Sequence, residues 1–271
     1  MDAISGTQET PDLFTQISDY LLNEDPVGID PRVFHILDNV DSPEEDLAAI
    51  ERMIDVKLAL RLRNMANSVY YGMTRRGAVT KFNDVITSIG MQPSKLFIIA
   101  LALFARLAPE YKKIEIESFA ISLFARLIAE QVSLQQTTVE KAEIGGLFLN
   151  LGKVVIASYA TAKQIDLPPG FFEEHHRTFA ARIFEKLTLP DYLLEVIKEE
   201  RFMLRKTAVS VSGVVYLAQA LVEKMIRDRG GIEIKAPAVN VNDTLETSLA
   251  LKIRQYFNLI GLGAYLKTNT Y

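Results

Sequence analysis

The 271-residue chain is 49% apolar and carries a formal charge of −4. That is enough apolar material for one large domain or two small ones, and the acidic balance argues against nucleic acid as a partner. With no cysteine, thiol catalysis, disulfides and Cys-ligated zinc are excluded, and a reducing cytoplasm is the expected location.

Residues 1–10 are polar and lack a basic-then-apolar targeting pattern. Leu13, Phe14, Ile17, Tyr20 and Leu21 repeat at helical spacing, so 11–22 is predicted as a short amphipathic helix. Asp30-Pro31 reads as an N-cap with proline at the first helical position. Ser42 and Glu45 have capping-box spacing for a helix to about Met53, and Ile54-Asp55 breaks it. A further helix follows over 57–67, and 68–81 is a loop with a small basic group. Phe82–Ile89 is a short helix stopped by Gly90. The apolar run 93–107 is too short to span a bilayer and reads as a core helix, so no membrane association is expected.

Helical spacing continues over 116–134. Thr137 and Glu140 again have capping-box spacing and open a central helix to about Tyr159. Its middle, Gly145 to Ile156, has only Asn150 and Lys153 as strongly polar residues, with glycines for close helix approach. Pro168-Pro169-Gly170 is a break, followed by helices over 171–187, from Leu189-Pro190 to Met203, and over 207–229. An extended connector over 232–241 and a helix over 243–257 are expected to close the chain. The fold class is all-α, with a seam near 107–116 between two lobes.

Two stretches carry a family resemblance. Leu60 to Gly72 contains Ala66-Asn67-Ser68-Val69-Tyr70-Tyr71-Gly72, which resembles the Ala-Asn-Ser-x-x-Tyr-Gly signature of the HDOD family, the HD-related output domains of bacterial signalling. Val85 to Gly90 is similar to that family's next step. Gly145 to Lys153 resembles the segment Gly-Leu-Leu-His-Asp-Ile-Gly-Lys of HD-superfamily proteins, whose His-Asp pair binds metal; here that pair reads Leu149 and Asn150. Glu117-Ser118 resembles the start of the family's His-Ser helix, His176 its His-Ala-Glu helix, and Glu199-Glu200 a frequent His-His pair.

The resemblance implies an N-terminal helical bundle packed on an HD-like helical domain. On that basis 1–26 is a leader with a short helix, and 27–222 is the HDOD-like domain, with lobes at about 27–108 and 115–222. A C-terminal helical extension occupies 223–271. It also implies a non-catalytic regulatory module that works by binding a protein partner, with no cofactor and no metal. Two alternatives stay open: a metal-dependent phosphohydrolase acting on a phosphoester or cyclic nucleotide, and a small-molecule or nucleotide sensor without turnover. The candidate degenerate pocket is Glu117, Asn150, His176, Glu199 and Glu200.

Read from the residues themselves, Asn150 satisfies a backbone group inside the core. His175 and His176 read as one solvated and one helix-capping histidine. Asn67 ends its helix, and Ser68 bonds local backbone and locks the turn into Val69-Tyr70-Tyr71-Gly72. Lys153 surfaces or pairs. Arg61, Arg63, Tyr70, Tyr71, Arg75, Arg76 and Lys81 form the candidate partner surface, a basic group in an acidic protein.

Overall fold

Proline, glycine and aspartate divide the first half of the chain into short helices. The computed structural model describes residues 12–39, 41–67, 78–132, 135–198, 210–229 and 258. Asp12, Asp30 and Asp55 each accept a hydrogen bond from a first-turn amide and so start α1 (Leu13–Asn23), α2 (Pro31–Asp38) and α4 (Val56–Ala66). α3 (Glu44–Met53) begins differently from the expected capping box. Pro43 is its N-cap, and the Ser42 hydroxyl donates instead to Ile36 O, 2.8 Å away, tying α3 to the end of α2.

α5 (Phe82–Ile89) ends at Gly90, whose φ of 94° sends α6 (Met91–Ala105) off at 106°. Every residue of α6 from Leu96 to Phe104 is buried, because α6 is surrounded by α2, α4 and α5 on one side and α8 and α9 on the other. The chain leaves this lobe where it entered: Arg106, just past α6, donates to Asp25 O just before α2, at 2.9 Å. A single 3-10 turn (Pro109–Tyr111) leads into the second lobe.

That lobe is built on α7 (Lys112–Gln131), which packs most extensively on α8 (Gln136–Phe148). The Thr137–Glu140 capping box does not form; α8 starts two residues earlier, with Gln135 as an N-cap that makes no side-chain bond. The predicted central helix is two helices. α9 (Leu151–Lys163) continues α8 in nearly the same direction after a two-residue break at Leu149 and Asn150. Together α8 and α9 are apolar enough to cross a membrane, but 89% of that window is buried by the surrounding helices.

α10 (Phe171–Lys186) lies along α9, then α11 (Asp191–Lys198) and α12 (Val211–Arg229) cover α7 and α8. α1, first in the chain, packs on α10 and α9. Lys186 caps its C-terminal end, donating to the carbonyls of Leu21, Leu22 and Glu24. Among the described residues there is no strand. The predicted connector at 232–241 and helix at 243–257 lie outside the described residues.

Two glycines set how closely the second lobe closes. A Cβ on Gly152 would stand 1.6 Å from His176 O in α10, and one on Gly146 would stand 2.7 Å from Ser122 Cα in α7. Both obstacles are backbone, so only movement of a whole helix could relieve them. At Gly145 the obstacles are the Val215 and Val196 methyls, at 3.2 and 3.3 Å, which can rotate or shift. Gly152→Ala is therefore expected to destabilise the protein by more than about 3 kcal/mol, and Gly145→Ala by about 1 kcal/mol, in urea unfolding monitored by circular dichroism.

Candidate functional site

The break between α8 and α9 carries Leu149 and Asn150, the residues that the resemblance sets against the His-Asp pair. Asn150 adopts φ −90° and ψ 11°, between two helical segments, and its carbonyl accepts the Val154 amide at 3.0 Å to start α9. Its side chain is 4% exposed. Asn150 Nδ2 donates to Ser118 Oγ at 3.4 Å, and that hydroxyl donates in turn to Ile114 O at 2.8 Å. The amide thus bonds a side chain of α7 rather than the backbone group expected from the sequence. The direction of the chain matters: a serine hydroxyl has one proton, here committed to Ile114 O, so it can only accept from residue 150. An amide can meet that demand and a carboxylate cannot. Leu149 beside it is buried and has no donor atom.

Glu117, one turn from Ser118 Oγ's own carbonyl partner on α7, is largely buried, with Lys113 Nζ 3.6 Å from its Oε1. Burial raises its pKa above the usual carboxylate value, opposed by the charges of Lys113 and Lys153. His176 on α10 bonds through Nδ1 to Phe172 O at 2.7 Å. A carbonyl only accepts, so Nδ1 carries the proton and Nε2 the lone pair. Burial holds the imidazole below its usual pKa, and Lys153 and Arg177 push the same way against the Phe172 hydrogen bond. Lys153, half-buried on α9, therefore acts electrostatically on both the carboxylate and the imidazole.

The structure brings Glu117, Asn150 and His176 to this one region through α7, α9 and α10, and adds Ser118 and Lys153. The sequence signal for both additions was adjacency alone: Ser118 follows Glu117, and Lys153 follows the close-packing Gly152. Glu199 and Glu200 lie outside the described residues. As a donor set for a divalent cation the described residues do not fit. One carboxylate, one imidazole nitrogen, an amide that donates to Ser118 and a leucine are accompanied by the ammonium of Lys153. Among the described residues no group of three or more His, Asp and Glu side chains converges.

The two other histidine and basic-group expectations are changed by the packing. His175 is half-buried and caps no helix; its ring stands among Phe171, Phe14 and Phe179. His176 bonds within its own helix. Arg61 is turned inward, 20% exposed, with Nη1 2.6 Å from Oε1 of Glu115 and its guanidinium over the Phe119 ring. Glu115 is 1% exposed and also pairs with Lys112 at 2.5 Å, so Arg61 holds α4 to α7 across the lobes. Arg63 pairs with Glu51 on α3. Lys81 is exposed at the start of α5. Tyr70, Tyr71, Arg75 and Arg76 lie outside the described residues. Asn67 does end α4, and it exchanges two bonds with Val79, accepting its amide at 2.6 Å and donating to its carbonyl at 3.0 Å.

Asn150→Asp is expected to cost about 2 kcal/mol in urea unfolding at pH 7, because it buries a carboxylate facing a committed hydroxyl. The two shifted groups also set opposite pH slopes. The folded His176 pKa lies below 6.5, so the unfolded chain takes up its proton first, and stability is lost as pH falls from about 6.5. The folded Glu117 pKa lies above 4.5, so its contribution to stability is lost as pH rises through the folded value. Unfolding measured at pH 7.5 and 5.5 should show a smaller acid loss in His176→Gln, and Glu117→Gln should be more stable than the parent at pH 7.5.

The profile described as HDOD domain matches residues 29–201. No curated protein matches the sequence. Among solved structures, the chain is similar to a Shewanella amazonensis SB2B protein provisionally named a metal-dependent phosphohydrolase. The TM-score is 0.62 at 14% identity, over 90% of this chain and 98% of that one. It is also similar to an HDOD domain protein of unknown function from Geobacter sulfurreducens, with a TM-score of 0.51 at 18% identity, over 91% of this chain and 90% of that one. A Marinobacter aquaeolei VT8 protein provisionally named for signal transduction gives 0.51 at 16% identity, over 92% of this chain and 61% of that one. At these identities the structural likeness is one of fold. The profile match spans more than half of the residues, and the chain belongs to the HDOD family.

Proposed function

We propose that this chain is a non-catalytic HDOD module of bacterial signal transduction that works by binding a protein partner. The observation that carries the reading is the side-chain set at the α8–α9 break. Asn150 donates to Ser118, and Lys153 bears on Glu117 and His176, where a hydrolase of the HD type would need carboxylates and imidazoles open to a metal. Such a site fixes helices against one another; it offers neither an activated water nor a Lewis acid to a phosphoester. The names of two similar structures point to phosphohydrolase and signalling roles for those proteins. The donor chemistry of this chain favours the second.

A module of this kind acts through a surface. Lys81 is exposed, and the proposed partner segment is the sequence stretch that leads to it, whose Tyr70, Tyr71, Arg75 and Arg76 lie outside the described residues. Arg61 and Arg63 are withdrawn from it, since both are engaged within the fold.

Protein purified from medium supplied with manganese and iron should hold no stoichiometric metal after dialysis, by elemental analysis, and should not hydrolyse bis(p-nitrophenyl) phosphate. Stoichiometric metal with turnover that is abolished in His176→Gln would sink the non-catalytic reading. Combined replacement of Arg75, Arg76 and Lys81 by alanine should abolish crosslinked capture of the partner and leave the melting temperature unchanged.

A further inference from the structure

Where α1 crosses the start of α10, four rings cluster. His175 stands edge-on to Phe171 with centroids 4.5 Å apart, 5.3 Å from Phe14 and 6.5 Å from Phe179. Phe14 and Phe179 are themselves 5.0 Å apart. Behind them the guanidinium of Arg182 lies over the Phe14 ring at 4.9 Å and donates to the Ser18 hydroxyl, which closes the inner side. In front is a cavity of about 460 Å³ lined by Asp12, Leu13, Phe14, Phe171 and His175. That volume is ample for one side chain.

The lining has one formal charge, the carboxylate of Asp12. Oδ1 accepts the Thr15 amide at 2.7 Å, which lowers the Asp12 pKa and keeps the group ionised, while the residue stays exposed to solvent. Glu173 and Glu174 are exposed in the first turn of α10, and Glu174 lies 3.7 Å from His175 Nε2. Aromatic faces carry negative quadrupole potential, so rings and carboxylates here favour the same kind of guest, a cation with a flat apolar face. A guanidinium meets both demands: it stacks on rings, is weakly hydrated, and forks onto a carboxylate. Arg182 already stacks in this manner on Phe14, and it is not among the residues that line the cavity.

Other occupants fit less well. A phosphorylated or acidic segment would meet Asp12, Glu173 and Glu174. A purely apolar anchor would cover the Asp12 carboxylate without pairing it, at a desolvation cost. Residues 1–11, next in the chain to Asp12, include Asp2 and Glu9 but no lysine or arginine, so they do not supply the complementary side chain.

We propose that this recess between α1 and α10 docks an arginine side chain of a protein partner. The proposal rests on the partner-binding reading and names a contact on the face formed by α1 and α10, separate from Lys81.

The test uses the full chain and two blocked tripeptides, acetyl-Gly-Arg-Gly-amide and its citrulline counterpart, followed through the histidine ring resonances in NMR. The protein has three histidines, so His175 is readily assigned. The arginine peptide should shift His175 saturably in the millimolar range, and the neutral citrulline peptide should bind about tenfold more weakly. Asp12→Asn should weaken the arginine peptide about tenfold without lowering the melting temperature, because asparagine caps a helix as well as aspartate does. Phe14→Leu should weaken it too, with circular dichroism confirming the fold. No saturable shift, equal binding of both peptides, or an unaffected Asp12→Asn would each overturn the proposal. If a captured partner binds Asp12→Asn with unchanged affinity, the recess is excluded while partner binding itself stands. If neither peptide nor partner binds, both readings fall.

Discussion

The backbone of α9 lies directly on the backbone of α10, and at Gly152 there is no room for a Cβ beside the carbonyl of His176. Much of the second lobe follows from that contact. It fixes the register of the two helices so that Lys153, the next residue, bears on His176. The companion contact at Gly146 brings α8 onto α7 and, through the break that follows, sets Asn150 beside Ser118. The polar cluster at the break is thus the product of two backbone approaches. Its residues could change chemistry while the helices that present them stayed in place, because the approaches depend on missing side chains rather than on the polar groups.

The polar cluster of Glu117, Asn150, His176 and Lys153 is set by burial as much as by charge. Burial pushes Glu117 and His176 toward their neutral forms, while Lys153 brings a positive charge to the region. Burial of the Glu117 carboxyl and the positive charge of Lys153 both lower the attraction for a divalent cation, whereas the neutral imidazole of His176 keeps its Nε2 lone pair. The hydroxyl between Asn150 and Ile114 adds a directional constraint, since it fixes which atom of residue 150 faces α7.

The all-α class and most helix limits were legible because they rest on local chemistry. Asp30-Pro31, Gly90 and the Asp55 break act through their own neighbours and survive in the fold as read. The capping boxes failed because a serine or threonine at the right spacing is also free to bond elsewhere, and Ser42 found the carbonyl of Ile36. The break at Leu149 and Asn150 was hidden inside an apolar run with no proline and no change of pattern. Arg61 was misread as surface because its partner, Glu115, is remote in the chain and belongs to the other lobe. The resemblance located Glu117, Asn150 and His176, but not the lysine that alters their chemistry.

The meeting of Asp25 and Arg106 has a mechanical meaning. Helices α2 to α6 begin and end at one point, so that lobe hangs from the rest of the protein by a two-stranded neck. α1 does not belong to the hanging part, since Lys186, together with a bond from Tyr159 Oη to Gln16 Oε1, clamps it to α10 and α9. A neck of two strands resists pulling but not twisting. Torsional stiffness between the lobes then resides in the flank of α6 against α8 and α9 and, among the described residues, in the ion pair of Arg61 with Glu115.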